Sequence, residues 1–125
     1  MDSDKDLLRE ETVRFAVIVS DICDNISGCR SYVWLLERSS SSVGANIHEA
    51  RYAQSRADFI NKFEIALKES YETEYWIEVL YRKERISDEN YKMLLKKCGS
   101  IRRMIIASVT TAKRNGQRPT APAHV

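Results

Sequence analysis

The stretch Arg38–Ala53, RSSSSVGANIHEARYA, decides how the rest of the chain is read. Small and hydroxyl side chains fill it, with one Asn and one Glu, where the core of a helix bundle is normally apolar. Its spacing explains the composition. Val33, Leu36, Ser40, Val43, Ile47 and Ala50 recur at three and four residues, the period of a single helix face. The serines therefore stand in register with the apolar positions. Ser40, Ser42, Gly44 and Ala45 carry little volume and let a neighbouring backbone approach. Serine runs have poor helix propensity, so the spacing predicts a helix held by its neighbours; a loop over 39–42 is the other reading.

Working outward, the preceding segment predicts a helix over about 5–26. Leu8, Thr12, Phe15, Val19, Ile22 and Ile26 share one stripe, with Ser3 or Asp4 as N-cap and acids in the first turn. Asn25, Ser27 and Gly28 then break the pattern, and the second helix follows over 30–53. Ser55 with Asp58 three residues on has the form of a capping box. It opens a third helix over 56–85, with Phe59, Phe63, Ala66, Ser70, Thr73, Ile77 and Leu80 inward. At 1.5 Å per residue this helix approaches about 40 Å and is the expected spine. Tyr71, Tyr75, Trp76 and Tyr81 are expected on its second flank as a contact between subunits, where aromatics are enriched.

Ser87 caps a fourth helix over 88–114, with Asp88 and Glu89 in its first turn. Tyr91, Leu94, Leu95, Cys98, Ile101, Ile105, Val109 and Ala112 form its apolar face. After Asn115-Gly116 the periodicity stops, and 116–125 is expected to be a disordered tail. Residues 1–115 are thus expected to form one all-α domain, an antiparallel up-down-up-down four-helix bundle.

Composition agrees with one soluble domain: 125 residues, 43% hydrophobic and 30% charged, with four Gly and two Pro. The acidic first residues lack the order of a signal peptide, and no apolar run reaches the roughly 20 residues of a membrane span. Cys23, Cys29 and Cys98 are odd in number and lack CxxC spacing, which argues against a disulfide framework or zinc site. A reduced, cytoplasmic protein is the expectation. A di-metal bundle site needs paired Glu-x-x-His motifs, but the histidines are His48 and His124 alone. No cofactor, metal or catalytic residue is expected. No nucleophile has a visible base and no Gly-rich phosphate loop occurs.

Charge is distributed unevenly. Positions 1–90 hold 12 basic and all 18 acidic residues, a net of −6, while the last 35 hold eight basic and no acidic residues. Such a split points to an anionic partner or to association between copies. The candidate nucleic-acid contacts are Lys92, Lys96, Arg103 and Arg114 on one face of the fourth helix, with Lys97, Arg102 and Lys113 on its flanks. A solvated helix face explains them equally well. No base-reading motif accompanies them, so RNA or DNA would be bound by shape or without sequence preference. Asn46 and Glu49 are expected in a buried polar network with Arg38, Ser39 and Ser42, or with Ser70, Thr73 or Tyr75, fixing helix order and register.

RSSSSVGANIHEARYAQSRADF resembles the signature of a bacterial four-helix-bundle family, R-S-x-x-S-[IV]-x-A-N-[IV]-x-E-[AG]. FINKFEIALKESYETEYWIEVL resembles that family's third helix, with its E-Y-W motif, and Phe15-Ala16-Val17 fits its first. The family comprises proteins encoded within intervening sequences of large-subunit ribosomal RNA genes and is ribosomal-protein-like. The resemblance covers most of the chain up to about Lys113 and implies a homopentameric barrel around a central channel. A related accessory protein of diversity-generating retroelements shares that barrel and binds nucleic acid and a reverse transcriptase. For Arg38, Ser39, Ser42, Ala45, Asn46, Ile47, Glu49 and Ala50 the resemblance implies a structural role. His48 and Ser70 stand where the family commonly has Ala. The function implied is a non-enzymatic oligomer associated with RNA; the alternative is an adaptor oligomer that recruits a protein such as a reverse transcriptase.

Overall fold

The computed structural model describes residues 2–117, with side chains from 7 to 116. Four helices follow one another: α1 (Asp2–Asp24), α2 (Arg30–Ala50), α3 (Arg56–Arg82) and α4 (Asp88–Gln117). No strand occurs among the described residues. Three links of five residues join the helices, too short to do anything but turn the chain back on itself. Consecutive helices pack on one another, and α4 closes the ring against α1. The expected up-down-up-down bundle is what forms. The α2–α3 seam is the most extensive and the α1–α4 seam the least.

The core is the set of positions that the period predicts. Leu8, Thr12, Phe15, Val19 and Cys23 of α1 meet Leu36, Ser39, Ser40, Val43, Ile47 and Ala50 of α2. Phe63, Ala66, Ser70, Thr73, Ile77 and Leu80 of α3 and Leu94, Cys98, Ile101, Ile105 and Val109 of α4 complete it. The serine stretch is continuous helix, so the loop reading of 39–42 falls away. Gly44 shows how close the packing is: a Cβ there would lie 3.0 Å from Thr12 Oγ1 and 3.1 Å from Thr12 Cβ.

Local chemistry sets the helix ends, and they differ from the expected ones by a few residues. α1 begins at Asp2, so Ser3 and Asp4, expected as caps, lie within its first turn. It ends at Asp24, two residues early, where Gly28 (φ 74°) and Cys29 (φ 53°) turn the chain through the left-handed region. α2 stops at Ala50 rather than 53 because Arg51, Tyr52 and Ala53 donate to His48, Glu49 and Ala50, bonds three residues back that tighten the last turn. Ser55 caps α3, its Oγ accepting from Asp58 N–H at 3.0 Å, while Asp58 Oδ2 accepts from Gln54 N–H at 3.2 Å.

α3 stops at Arg82 in a Schellman motif. Arg85 N–H donates to Leu80 O and Glu84 N–H to Tyr81 O, both at 2.9 Å, with Glu84 left-handed at φ 61°. Ser87 Oγ then accepts from Asn90 N–H at 3.1 Å and starts α4. At its far end α4 continues through Asn115-Gly116 to Gln117, beyond the expected stop at 114. The side chain of Arg56 covers that last turn, 3.1 Å from where a Cβ on Gly116 would stand. The remainder of the expected disordered tail, 118–125, lies outside the described residues.

Candidate nucleic-acid interface

One face of α4 is committed to the core, and the cations are distributed over what remains. Lys92, Lys96, Arg103 and Arg114 are exposed and lie opposite Ile101 and Ile105 by helical phase. From Lys92 to Arg114 the row spans about 33 Å at 1.5 Å per residue. No Asp or Glu follows Glu89 on the helix, and none of the four makes an ion pair among the described residues. Lys97 is also exposed, on the flank turned toward α1.

Arg102 and Lys113 differ, because their flank faces α3. Arg102 Nη2 donates to Glu74 Oε2 at 2.8 Å, its guanidinium lies 4.7 Å from the centre of the Tyr71 ring, and its side chain is 17% exposed. Lys113 Nζ donates to Glu64 Oε2 at 2.9 Å. Of the seven candidate cations, the structure brings Lys92, Lys96, Arg103 and Arg114 into one open row. Lys97 is set to one side, and Arg102 and Lys113 are engaged within the chain.

Polar groups of the serine helix are engaged internally too, though not as the sequence suggests. Thr73 Oγ1 donates to Ser39 Oγ at 3.0 Å across the fully buried α2–α3 seam, and Ser39 donates to Leu36 O at 3.3 Å. Arg38 Nη2 bridges Glu72 Oε2 at 2.6 Å and Glu69 Oε1 at 3.3 Å, and Trp76 Nε1 donates to the same Glu72 oxygen at 3.1 Å. The Trp76 hydrogen bond, then Arg38, hold the Glu72 carboxyl below its ordinary pKa.

Of the expected partners of Asn46 and Glu49, only Ser42 is met, by Asn46, and neither residue joins Arg38 or Ser39, which corrects the rest of the expectation. Asn46 is half-buried and donates to Ser42 O at 2.9 Å and Ser42 Oγ at 3.2 Å within its own helix. Glu49 is exposed and pairs with Lys62 at 3.4 Å. Ser39, Val43, Ile47 and Ala50 hold the core face, and helical phase turns Asn46 and Glu49 round toward the rim. Sequence reading placed Arg38 in a network with Asn46 and Glu49 and missed that its partners are Glu69 and Glu72 on α3. The signal available was Glu69, Glu72 and Trp76 at three-four spacing on one flank of α3.

The four aromatics expected on one flank also separate. Tyr71 and Tyr75 face outward, 52% and 61% exposed. Trp76 is half-buried against Tyr32, ring centres 5.7 Å apart. Tyr81 stacks on Tyr91 at 3.9 Å and donates to Asp88 Oδ1 at 2.6 Å. A different apolar patch lies on the outer α1–α2 face, where Val13, Val17 and Trp34 are 44%, 54% and 62% exposed. Beside Trp34 runs a shallow groove of about 410 Å³ lined by Ala16, Ser20, Glu37, Arg38, Ser40 and Ser41.

Nothing in the described residues assembles a reactive centre from the cysteines. Burial pushes the Cys23 thiol up to about 12 and the Cys98 thiol to about 11, so both are protonated and weakly nucleophilic near neutrality. Among the described residues no group of His, Cys, Asp and Glu is placed to hold a metal ion. No helix among them is long and apolar enough to cross a membrane.

Residues 10–107 match the sequence pattern of a family described as 23S rRNA-intervening sequence protein. No curated protein matches the chain. Among solved structures, the fold is similar to the crystal structure of a protein of unknown function from the S23 ribosomal protein family of Bacteroides thetaiotaomicron. That likeness has a TM-score of 0.81 and 37% sequence identity, covering 86% of this chain and 98% of the other.

Proposed function

We propose a function from one premise: this chain belongs to the 23S rRNA-intervening sequence protein family. It is a non-enzymatic, cytoplasmic RNA-binding protein whose contact with phosphate is the outer row of α4. The observation that carries the reading is the unpaired state of Lys92, Lys96, Arg103 and Arg114 on a helix without acids after Glu89. In a chain with 20 basic and 18 acidic residues, internal neutralisation is easy, and elsewhere it occurs. A row left open for about 33 Å has the geometry to follow a polyanion. The protein works as an oligomer, the homopentamer that the family resemblance implies. The apolar outer α1–α2 face, with Val13, Val17 and Trp34, supplies contacts between copies.

Four phosphate contacts give an expected slope of log affinity against log salt of about −3 for single-stranded RNA. Anisotropy titrations with a labelled single-stranded RNA test this. Changing Lys96, Arg103 and Arg114 to Glu should abolish binding while leaving the melting temperature within a few degrees. Affinity that ignores salt, or survives the triple reversal, removes α4 from the reading and leaves recruitment of a protein partner. Sedimentation should give five times the chain mass, with Trp34→Ser shifting the distribution toward smaller species.

A further inference from the structure

We infer that the RNA is engaged through an unpaired segment whose bases stack on Tyr71 and Tyr75, beside the α4 row. This rests on the RNA-binding reading above and specifies the class of RNA. Tyr71 and Tyr75 are one helical turn apart on the outer surface of α3, each more than half exposed. Large aromatics are seldom left so open in pairs unless they meet something.

Both rings are held in place. The Arg102 guanidinium, itself anchored by Glu74 at 2.8 Å, lies over Tyr71 at 4.7 Å. Tyr75 is braced edge-on by Trp76, ring centres 4.9 Å apart. A braced ring loses little conformational freedom when a second planar group is laid against it, the same economy by which rigid aromatics serve at interfaces.

The cations lie on the adjoining ground. Arg103 follows Arg102 on α4 and belongs to the open row. Gly99 leaves room for it to lie along the helix, its Nη1 3.5 Å from where a Gly99 Cβ would be. Going from α3 to α4, the surface therefore presents two open rings, an arginine on one of them, and then unpaired positive charge. That is the combination by which single strands are held: bases on aromatic faces, phosphates on a basic track. Charge complementarity selects a polyanion as occupant, and the rings select unpaired bases. In a duplex the base faces are already stacked and unavailable.

The experiment compares a short unstructured RNA with an A-form duplex of the same sequence by anisotropy, on the full-length chain and on Tyr71→Leu, Tyr75→Leu and the corresponding Phe variants. The single strand should bind on the order of 10-fold tighter than the duplex. Each Leu variant should lose on the order of 10-fold for the single strand and nothing for the duplex, with an unchanged salt slope, and the Phe variants should retain binding. On the unaltered protein, ultraviolet crosslinking of a 5-bromouridine strand should map to Tyr71 or Tyr75, a readout that needs no variant to fold. Equal affinity for both RNAs with indifferent Leu variants overturns stacking while the phosphate row stands. No binding of either RNA overturns both. Leu variants that dissociate the oligomer and leave RNA affinity unchanged assign the two rings to a second copy, which also overturns the inference.

Discussion

The two exposed sides of α4 carry the same kind of residue and have opposite fates. On the side facing α3, Arg102 and Lys113 find Glu74 and Glu64. On the outer side, Lys92, Lys96, Arg103 and Arg114 find no acid within the described residues. The inward pattern continues across α3, where Arg38 binds Glu69 and Glu72 and Ser39 shares a hydrogen bond with Thr73. Charge counted along a sequence is therefore not charge available to a partner. Which side of the helix a residue occupies decides whether it contributes to cohesion or to the external field.

The comparison can be broken most directly at its inward extreme. Ser39 is fully buried between α2 and α3. Ser39→Leu overfills that seam and leaves the Thr73 hydroxyl with Glu69 O alone as partner, so it should cost about 3 kcal/mol in chemical denaturation. Ser39→Ala should cost about 1 kcal/mol.

Arg38→Met comes next, at about 2 kcal/mol, because it leaves Glu69 and Glu72 half-buried without their cation. Acid should reveal the same group. The Glu72 pKa is lowered in the fold, so its contribution is complete above the unfolded carboxylate value of about 4.3. It is lost as pH falls through the lower folded value. Melting temperature should therefore drop on acidification below about pH 4.3, and Arg38→Met should flatten that drop.

The neighbours Arg102 and Arg103 give the sharpest pairing. Arg102→Met should cost about 1 kcal/mol of stability through the lost Glu74 and Tyr71 contacts and leave the salt slope of RNA binding alone. Arg103→Met should do the reverse, changing stability by less than about 0.5 kcal/mol and reducing the slope by about 0.7. Identical phenotypes would erase the distinction between the two sides.

A smaller effect is a gain. Glu64→Gln releases Lys113, which should raise the slope by up to about 0.7 and improve affinity a few-fold at low salt. Asn46→Leu is expected to be the mildest, within about 0.5 kcal/mol by thermal melt. Its hydrogen bonds stay within its own helix and it is only half-buried.

Much of the fold is legible in the residues because helical period and burial are the same information. The stripe through Leu36, Ser40, Val43, Ile47 and Ala50 is buried as spaced, and Ser55 and Ser87 cap the helices they announce. Boundaries were less legible. Glu84 adopts the left-handed turn that glycine usually supplies, so α3 ends at Arg82 with no glycine to mark it. The candidate interface was legible only as a set of cations. Separating Arg102 from Arg103 requires knowing where Glu74 stands, and that acid is 28 residues away along the chain.

By itself, then, the sequence determined four amphipathic helices, the close contact at the serine stretch and the membership of a family. These depend on local period, residue volume and capping, all of which act over a few residues. Tertiary structure alone decided that α2 is tied to α3 through Arg38 and the buried Ser39–Thr73 bond, with Glu49 adding only an exposed pair to Lys62 and Asn46 bonding within its own helix. It also decided that Tyr71 and Tyr75 stay open while Trp76 and Tyr81 pack against other rings, and that five of seven cations are exposed without an ion pair among the described residues, four of them in one row. Those outcomes depend on the rotation of each helix about its axis and on which helix lies beside it. Only packing of the whole bundle sets those quantities.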